Sequence, residues 1–456
     1  MSVTRSAAFF GVATICGHAS QLIWLAAGSR AMSAATFGEV LAAQALYAVL
    51  QIVVDVGPSA VGARLAARGE ITPAKRAQLI AMRIGLAAFV APVALVLGAL
   101  HISGSLEATV PFALALFFFA CLNVWEPYGT GDARPWATYM FTRSAAPALV
   151  AVGYLAAGAR FPAPLAGTVE CAVLLMLLVV LSRLNPPDLR LAMRSHRGPW
   201  GSVVAAGAPS VIAQASVASG TLILSGARSP AAAGVFAACV RLMSGLNALN
   251  GIVATALYPR LASGGRDRTQ DEPVVTAALR LIALVAVTAT AVCVLLGEPI
   301  AGAFLGDDGR TSVDALILTA ATVAALGNAV MFIYQLTAGG HERDMLAPCA
   351  AGAAITIILG LGATAAVDPR VDLVATALLI GMLVNMTALG LRLRRRLPYV
   401  ARSVTAGMAV AVATAALAAL SLISQARIPV GIVLLVVAAV IAKQLAPAVR
   451  LMRTGI

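Results

Sequence analysis

Apolar runs of about twenty residues alternate with short polar or charged segments along the whole chain. Because one helical crossing of a bilayer needs about 20 mostly apolar residues, this pattern predicts fourteen membrane-spanning helices. The turns between them contain helix breakers such as Gly57-Pro58, Pro186-Pro187 and Ser229-Pro230. The predicted spans are residues 7–27, 38–58, 79–100, 108–126, 137–159, 163–183, 202–224, 232–257, 274–297, 312–337, 345–366, 371–391, 403–424 and 428–448.

The distribution of basic residues supports this span count. With the N-terminus inside, the inner segments hold twenty-one basic residues and the outer loops hold six. Such an excess is what the positive-inside rule predicts, so both termini are expected to be cytoplasmic. The net charge of +13 therefore follows mainly from topology. The run Arg392–Arg396 is either a stop-transfer anchor or a contact for anionic lipid headgroups, and the scattered basic residues do not indicate nucleic-acid binding.

Composition narrows the class of protein. The chain of 456 residues is 60% hydrophobic and 11% charged, with a mean hydropathy of +0.92, whereas a soluble domain carries about 25% charged residues. The six cysteines lie in apolar stretches without a CxxC pair, and the four histidines have no metal-ligand spacing. Neither lysine stands in a phosphate-binding loop. We therefore expect an all-α polytopic membrane protein without metal, cofactor or catalytic site.

An internal repeat indicates how the helices are organised. A shift of 196 residues overlays spans one and two on spans seven and eight, so that Gly38 meets Gly234 and Arg64-Leu65-Ala66 meets Arg260-Leu261-Ala262. Six spans separate the copies, so both cross the bilayer in the same direction, as in parallel-repeat transporters. The predicted domains are an N-terminal six-helix lobe (1–185), a cytoplasmic linker (186–200), a C-terminal six-helix lobe (201–397), and helices 13–14 with the tail (398–456).

Two segments resemble a known family. The stretch FGEVLAAQALYAVLQIVVDVGPSAVGARLA (37–66) resembles the FGxYxLA…DxG…R segment of bacterial polysaccharide flippases, and SPAAAGVFAACVRLMSGLNALNGIVATALYPRLA (229–262) is similar to their GPxxxGxY…RL…PRLA segment. These flippases belong to the multidrug/oligosaccharidyl-lipid/polysaccharide (MOP) exporter superfamily. The resemblance implies a MATE-like fold of two six-helix lobes plus a helix pair. It also implies export of a polyprenyl-pyrophosphate-linked glycan to the outer leaflet of the bacterial inner membrane by alternating access.

Such a cargo needs a hydrated, cationic cavity for its pyrophosphate and sugars, while the prenyl tail stays in lipid. Arg241 lies inside predicted span eight, where an arginine facing lipid would cost roughly 2.5–3.5 kcal/mol. It is either a cavity cation for phosphate or half of a structural ion pair. Polar residues on spans one, two and eight are candidates for contacts with sugar hydroxyls or for hydrogen bonds between helices: His18, Gln21, Gln44, Gln51, Asn247 and Asn250.

Charged residues near predicted span ends suggest two further roles. Asp55, Arg83 and Arg143 are candidates for a latch at the inner gate. As alternatives, the two arginines would be interfacial charges near headgroups, and Asp55 would cap a helix end. Glu126 and Glu170, within or at the edge of spans, are candidates for binding a coupling proton or cation. Asn328 and Gln335 on span ten have the same two alternatives as the polar residues above.

Three functions compete. The first is a lipid-linked glycan flippase, acting as a monomer with its lipid-linked substrate, membrane lipids and polysaccharide assembly proteins as partners. The second is a cation-coupled multidrug exporter, which the scarcity of buried acids disfavours. The third is a glycan polymerase or ligase, which the short outer loops disfavour. We therefore expect a transporter and not an enzyme.

Overall fold

The computed structural model describes residues 3–67, 69–123, 125–126, 134–182, 200–263, 272–305, 313–339, 341–365, 370–423 and 426–454. Within these ranges the chain forms fourteen α-helices, which confirms the predicted all-α fold class. They are α1 (Val3–Ala31), α2 (Ala34–Ala67), α3 (Pro73–Ala99), α4 (Leu106–Cys121), α5 (Arg134–Ala156), α6 (Ala163–Ser182), α7 (Trp200–Gly226), α8 (Pro230–Ser263), α9 (Glu272–Leu305), α10 (Val313–Ala338), α11 (Leu346–Thr364), α12 (Val371–Arg396), α13 (Ala401–Ile423) and α14 (Arg427–Thr454).

Eleven helices among the described residues are long and apolar enough to cross a membrane, and α4, with 16 residues, is apolar but shorter. Several helices begin at the residues that the sequence favours. Thr72 caps α3 by accepting a hydrogen bond from the Lys75 amide at 3.2 Å, with Pro73 at the first helical position. Ser105 caps α4 in the same way, through the Ala108 amide at 3.3 Å.

The helix bounds correct part of the sequence prediction. Gly57-Pro58 was expected in a turn, but both residues lie inside α2, which continues to Ala67. Proline inside a membrane helix is tolerated because neighbouring groups satisfy the freed carbonyl. Span four was expected to reach residue 126, but α4 ends at Cys121. Residues 186–199 of the predicted linker lie outside the described residues.

The chain divides into two compact units, Met1–Ala238 and Cys239–Ile456, with the division inside α8. In the first unit α1 packs on α5, α2 on α7, and α4 on α3 and α6. In the second unit α10 is buried along nearly its whole length and packs on α9, α12 and α13, while α14 packs on α9. The predicted lobe boundaries remain a prediction.

Candidate functional site

The first unit contains a buried ion pair that joins three helices. The side chain of Arg83 on α3 is fully buried, and its Nη2 lies 3.0 Å from Oδ1 of Asp55 on α2. Nη2 also donates to the carbonyl of Phe119 at 2.9 Å, and Nη1 donates to the carbonyl of Leu122. The guanidinium carbon lies 4.9 Å from the centre of the Phe119 ring. Arg83 thus binds a carboxylate on one side and the C-terminal end of α4 on the other.

The short length of α4 explains why a charge is needed there. The last carbonyls of a helix have no partner within the helix, and the C-terminus carries a partial negative charge. Because α4 ends at Cys121 and Leu122 is buried, water cannot satisfy these carbonyls freely. Arg83 supplies both hydrogen-bond donors and positive charge at that point.

These contacts correct two of the alternatives. Arg83 is not an interfacial charge near headgroups, because α3 begins at Pro73 and the side chain is fully buried. Asp55 does not cap a helix end, because α2 runs on to Ala67. Asp55 instead binds Arg83 and accepts a hydrogen bond from the Ser59 hydroxyl. The pair connects helices of one unit, and its role as a gate latch remains a prediction.

Arg143 belongs to a second network and not to the Asp55 pair. Its Nε on α5 donates to Oε1 of Glu170 on α6 at 2.6 Å, and the Tyr47 hydroxyl on α2 donates to the same oxygen at 3.1 Å. Arg143 Nη1 and Gln51 Nε2 both donate to the Tyr139 hydroxyl, each at 2.9 Å. The network ties α2, α5 and α6 together, and it occupies the amide of Gln51, which was a candidate for sugar contacts.

Glu126 is also paired with an arginine. Arg76 Nε donates to Glu126 Oε2 at 2.6 Å, and Asn123 Nδ2 donates to the same oxygen at 2.7 Å. Glu126 lies beyond Cys121, the last residue of α4. Both candidate coupling acids, Glu126 and Glu170, therefore have their charge compensated by a guanidinium, and their role in ion coupling remains a prediction.

The polar residues of α8 fall into two groups. Arg241 is half-buried in the first half of the helix, and its carbonyl accepts from the Ser244 hydroxyl at 2.7 Å. Asn250 is buried against Gly327 of α10 and donates to Asn247 Oδ1 at 3.3 Å. Asn250 therefore takes part in packing between helices, whereas Arg241 and Asn247 stay half-buried.

The other candidate residues differ in how many of their side-chain polar atoms have a hydrogen-bond partner. His18 and Gln21 are half-buried on α1 and interact through their side chains. Asn328 donates to the Gly407 carbonyl at 3.3 Å, a hydrogen bond between α10 and α13. Gln44 Oε1 and both amide atoms of Gln335 are buried without a hydrogen-bond partner among the described residues. Among the described residues, Gln44 is thus a candidate on α2 whose carbonyl oxygen has no protein partner, and its contact with sugar hydroxyls remains a prediction.

Sequence reasoning missed the two tyrosines of the Arg143 network and the pairing of Arg76 with Glu126. A signal for the tyrosines exists, because Tyr47 and Gln51 are four residues apart on α2, and Tyr139 and Arg143 are four apart on α5. Residues at this spacing share a helix face. No group of three possible metal ligands occurs in the described part of the chain.

No protein-family model matches the sequence, and no curated protein matches it. The fold nevertheless matches solved transporters. The lipid II flippase MurJ in an inward closed conformation gives a TM-score of 0.64 at 11% identity, over 95% of this chain and 98% of that chain. An inward-facing MATE family multidrug resistance transporter of the MOP superfamily gives a TM-score of 0.61 at 14% identity, over 85% of this chain and 96% of that chain. A MOP superfamily transporter from Pyrococcus furiosus gives a TM-score of 0.60 at 14% identity, over 88% of this chain and 97% of that chain.

These likenesses show that the chain has the fold of MOP superfamily transporters. Together with the apolar helices, they identify a multi-pass membrane protein. The predicted MATE-like architecture is confirmed at the level of the fold.

Proposed function

We propose that this protein is a flippase that moves a polyprenyl-pyrophosphate-linked glycan from the cytoplasmic to the outer leaflet by alternating access. The observation that carries the proposal is the likeness to a solved lipid II flippase over nearly the full length of both chains. The sequence motifs of α2 and α8, which resemble those of polysaccharide flippases, support a transporter of the same superfamily.

The chemistry of the candidate residues supports this cargo. A pyrophosphate head needs a cation, and a guanidinium binds oxyanions through its planar fork of donors. Arg241 is a half-buried arginine within the length of α8. Gln44 offers a buried carbonyl oxygen without a protein partner among the described residues, which suits a sugar hydroxyl. We assign Arg241 to the pyrophosphate and Gln44 to the glycan.

The acidic residues argue against capture of an organic cation. Asp55, Glu126 and Glu170 are bonded to Arg83, Arg76 and Arg143. A carboxylate whose charge is already compensated attracts a cationic drug weakly, since binding would have to replace an arginine. The likeness to MATE transporters keeps a cation-coupled multidrug exporter as the second candidate.

The setting follows from the proposal. The protein acts in the bacterial inner membrane as a monomer with cytoplasmic termini, among membrane lipids and the proteins that assemble the polysaccharide. It moves its cargo without making or breaking covalent bonds, so it is not an enzyme.

Transport in proteoliposomes tests the proposal. The purified protein is reconstituted with a fluorescent polyprenyl-pyrophosphate-linked sugar, and a membrane-impermeant quencher measures how much lipid has crossed. A parallel set of vesicles measures uptake of a cationic dye across proton and sodium gradients. The proposal expects crossing of the lipid-linked sugar above protein-free vesicles and no dye uptake. Dye uptake without lipid crossing would favour the multidrug exporter.

A further inference from the structure

Helix α2 has two glycines at which another helix touches its backbone. We infer that Gly38 and Gly57 are the points at which α2 closes the transport pathway, one near each face of the membrane, and that the two contacts open in alternation. The inference rests on the proposed function for the idea of a pathway, and it adds the residues that close it.

At Gly38, α2 meets the start of α8. A methyl group on Gly38 would overlap the carbonyl group of Pro230, and a methyl group on Gly234 would lie 2.8 Å from the Gly38 Cα. Only glycine permits two backbones to approach so closely. The sequence repeat equates these same two positions, because the 196-residue shift places Gly38 on Gly234. Two independent observations, one from sequence and one from geometry, therefore single out this contact.

At Gly57, α2 meets α7. A methyl group on Gly57 would lie 2.5 Å from both Cγ1 and the carbonyl oxygen of Val203. The next residue, Pro58, has no amide hydrogen, so the carbonyl of Val54 loses its usual partner within the helix. Such a position is where a helix bends most easily. The second contact therefore lies at a point where α2 can move away from α7.

The spacing of the contacts fits a membrane. Nineteen residues separate Gly38 from Gly57, and at about 1.5 Å per residue they are about 28 Å apart. The hydrocarbon core is about 30 Å thick. The contacts thus lie close to opposite faces of the bilayer, with Gln44 and Gln51 on the stretch of α2 between them.

This arrangement predicts opposite effects for the two glycines. Alanine at Gly38 is incompatible with the contact to Pro230, so it disfavours every state in which Gly38 at the N-terminal end of α2 touches Pro230. Alanine at Gly57 disfavours every state in which the contact to Val203 is closed. Each substitution should therefore open the pathway to a different side.

Labelling of a single cysteine measures this. The reporter is Gln44→Cys, placed between the contacts, in a background whose six native cysteines are replaced by alanine and whose protein level matches the original. A membrane-impermeant maleimide is applied to right-side-out or to inverted membrane vesicles. In the predicted topology Gly38 lies at the outer end of span two and Gly57 at the inner end. Gly38→Ala should therefore raise labelling about fivefold or more in right-side-out vesicles and lower it in inverted vesicles, and Gly57→Ala should do the reverse.

Matched controls are available within the same unit. Gly85 on α3 and Gly153 on α5 have nothing within 4 Å of an added methyl group, so Gly85→Ala and Gly153→Ala should leave labelling from both sides unchanged. If either test variant does not accumulate, Gly234→Ala and Val203→Ala perturb the same two contacts more mildly and should shift labelling in the same two directions.

The inference is overturned if Gly38→Ala and Gly57→Ala shift labelling in the same direction, or if neither differs from the control variants. The readout needs no cargo, so it is separate from the proposed function. If the two variants shift labelling in opposite directions while the unsubstituted protein does not move the lipid-linked sugar in proteoliposomes, the two closing contacts stand. The glycan is then rejected as the cargo.

Discussion

Replacing Asp55 with asparagine removes the only carboxylate bound to Arg83 among the described residues. The buried guanidinium would keep its carbonyl partners and the Phe119 ring but lose its counter-charge. Breaking a buried ion pair costs roughly 3–5 kcal/mol. Because the Asp55 side chain is 28% exposed, we expect the lower end of this range, about 3 kcal/mol, or about two orders of magnitude in the unfolding equilibrium.

A second ion pair in the same chain provides the control. Asp372 lies 2.6 Å from Arg370 and is also 28% exposed, but its arginine is 63% exposed instead of fully buried. Asp372→Asn should therefore cost less than about 1 kcal/mol. The double variant Asp55→Asn with Arg83→Met should recover part of the loss, because it removes both charges.

Thermal unfolding of the purified variants in detergent, followed by tryptophan fluorescence, measures these differences. We expect a large fall in the unfolding temperature for Asp55→Asn, a small one for Asp372→Asn and an intermediate one for the double variant. Equal stability of Asp55→Asn and Asp372→Asn would show that burial of Arg83 does not set the strength of its pair.

Asp55→Asn should raise cysteine labelling at the cytoplasmic mouth if the pair also acts as a latch, and unchanged labelling with normal export would leave it a structural contact. Glu170→Gln should destabilise the protein more than Tyr47→Phe, since it leaves Arg143 without its carboxylate, and unfolding temperatures would decide this. Reporter fusions should signal outside after residues 30, 105, 160, 228, 310 and 370 and inside after 70, 190, 266 and 395, and an inside signal at 228 would break the predicted topology.

The helices could be predicted from the sequence because each membrane crossing requires an apolar run of about twenty residues, which is visible in the sequence. Their ends could not, since hydropathy detects only the part of a helix that lies in lipid. Helix α2 continues nine residues past the predicted end at 58, and Val61 and Leu65 on this extension pack in an apolar cluster with Leu79 and Trp125. Gly57-Pro58 was placed in a turn because both residues break helices in soluble proteins, whereas α2 keeps them inside.

The charged pairs were only partly predictable. The sequence suggested that Asp55, Arg83 and Arg143 act together, but residues far apart in the chain gain their partners from packing, and α5 and α6 bring Arg143 to Glu170. The role of Arg83 at the end of α4 depends on where that helix stops, which composition does not reveal. The identity of Gly38 as a contact could be suspected from its match to Gly234, but only the structure places the two together.

Substitution of Arg241, with export and membrane abundance measured in the same cells, tests the central claim most directly. If Arg241 binds the pyrophosphate, Arg241→Lys should retain partial export because it keeps the charge and loses the planar fork. Arg241→Glu should be worse than Arg241→Ala, since it would repel the cargo. Arg241→Ala should abolish export at normal abundance, because removing a charge from within a span lowers the cost of insertion. Normal glycan export by Arg241→Ala would contradict the account, and loss of protein together with export would instead assign Arg241 to a structural ion pair.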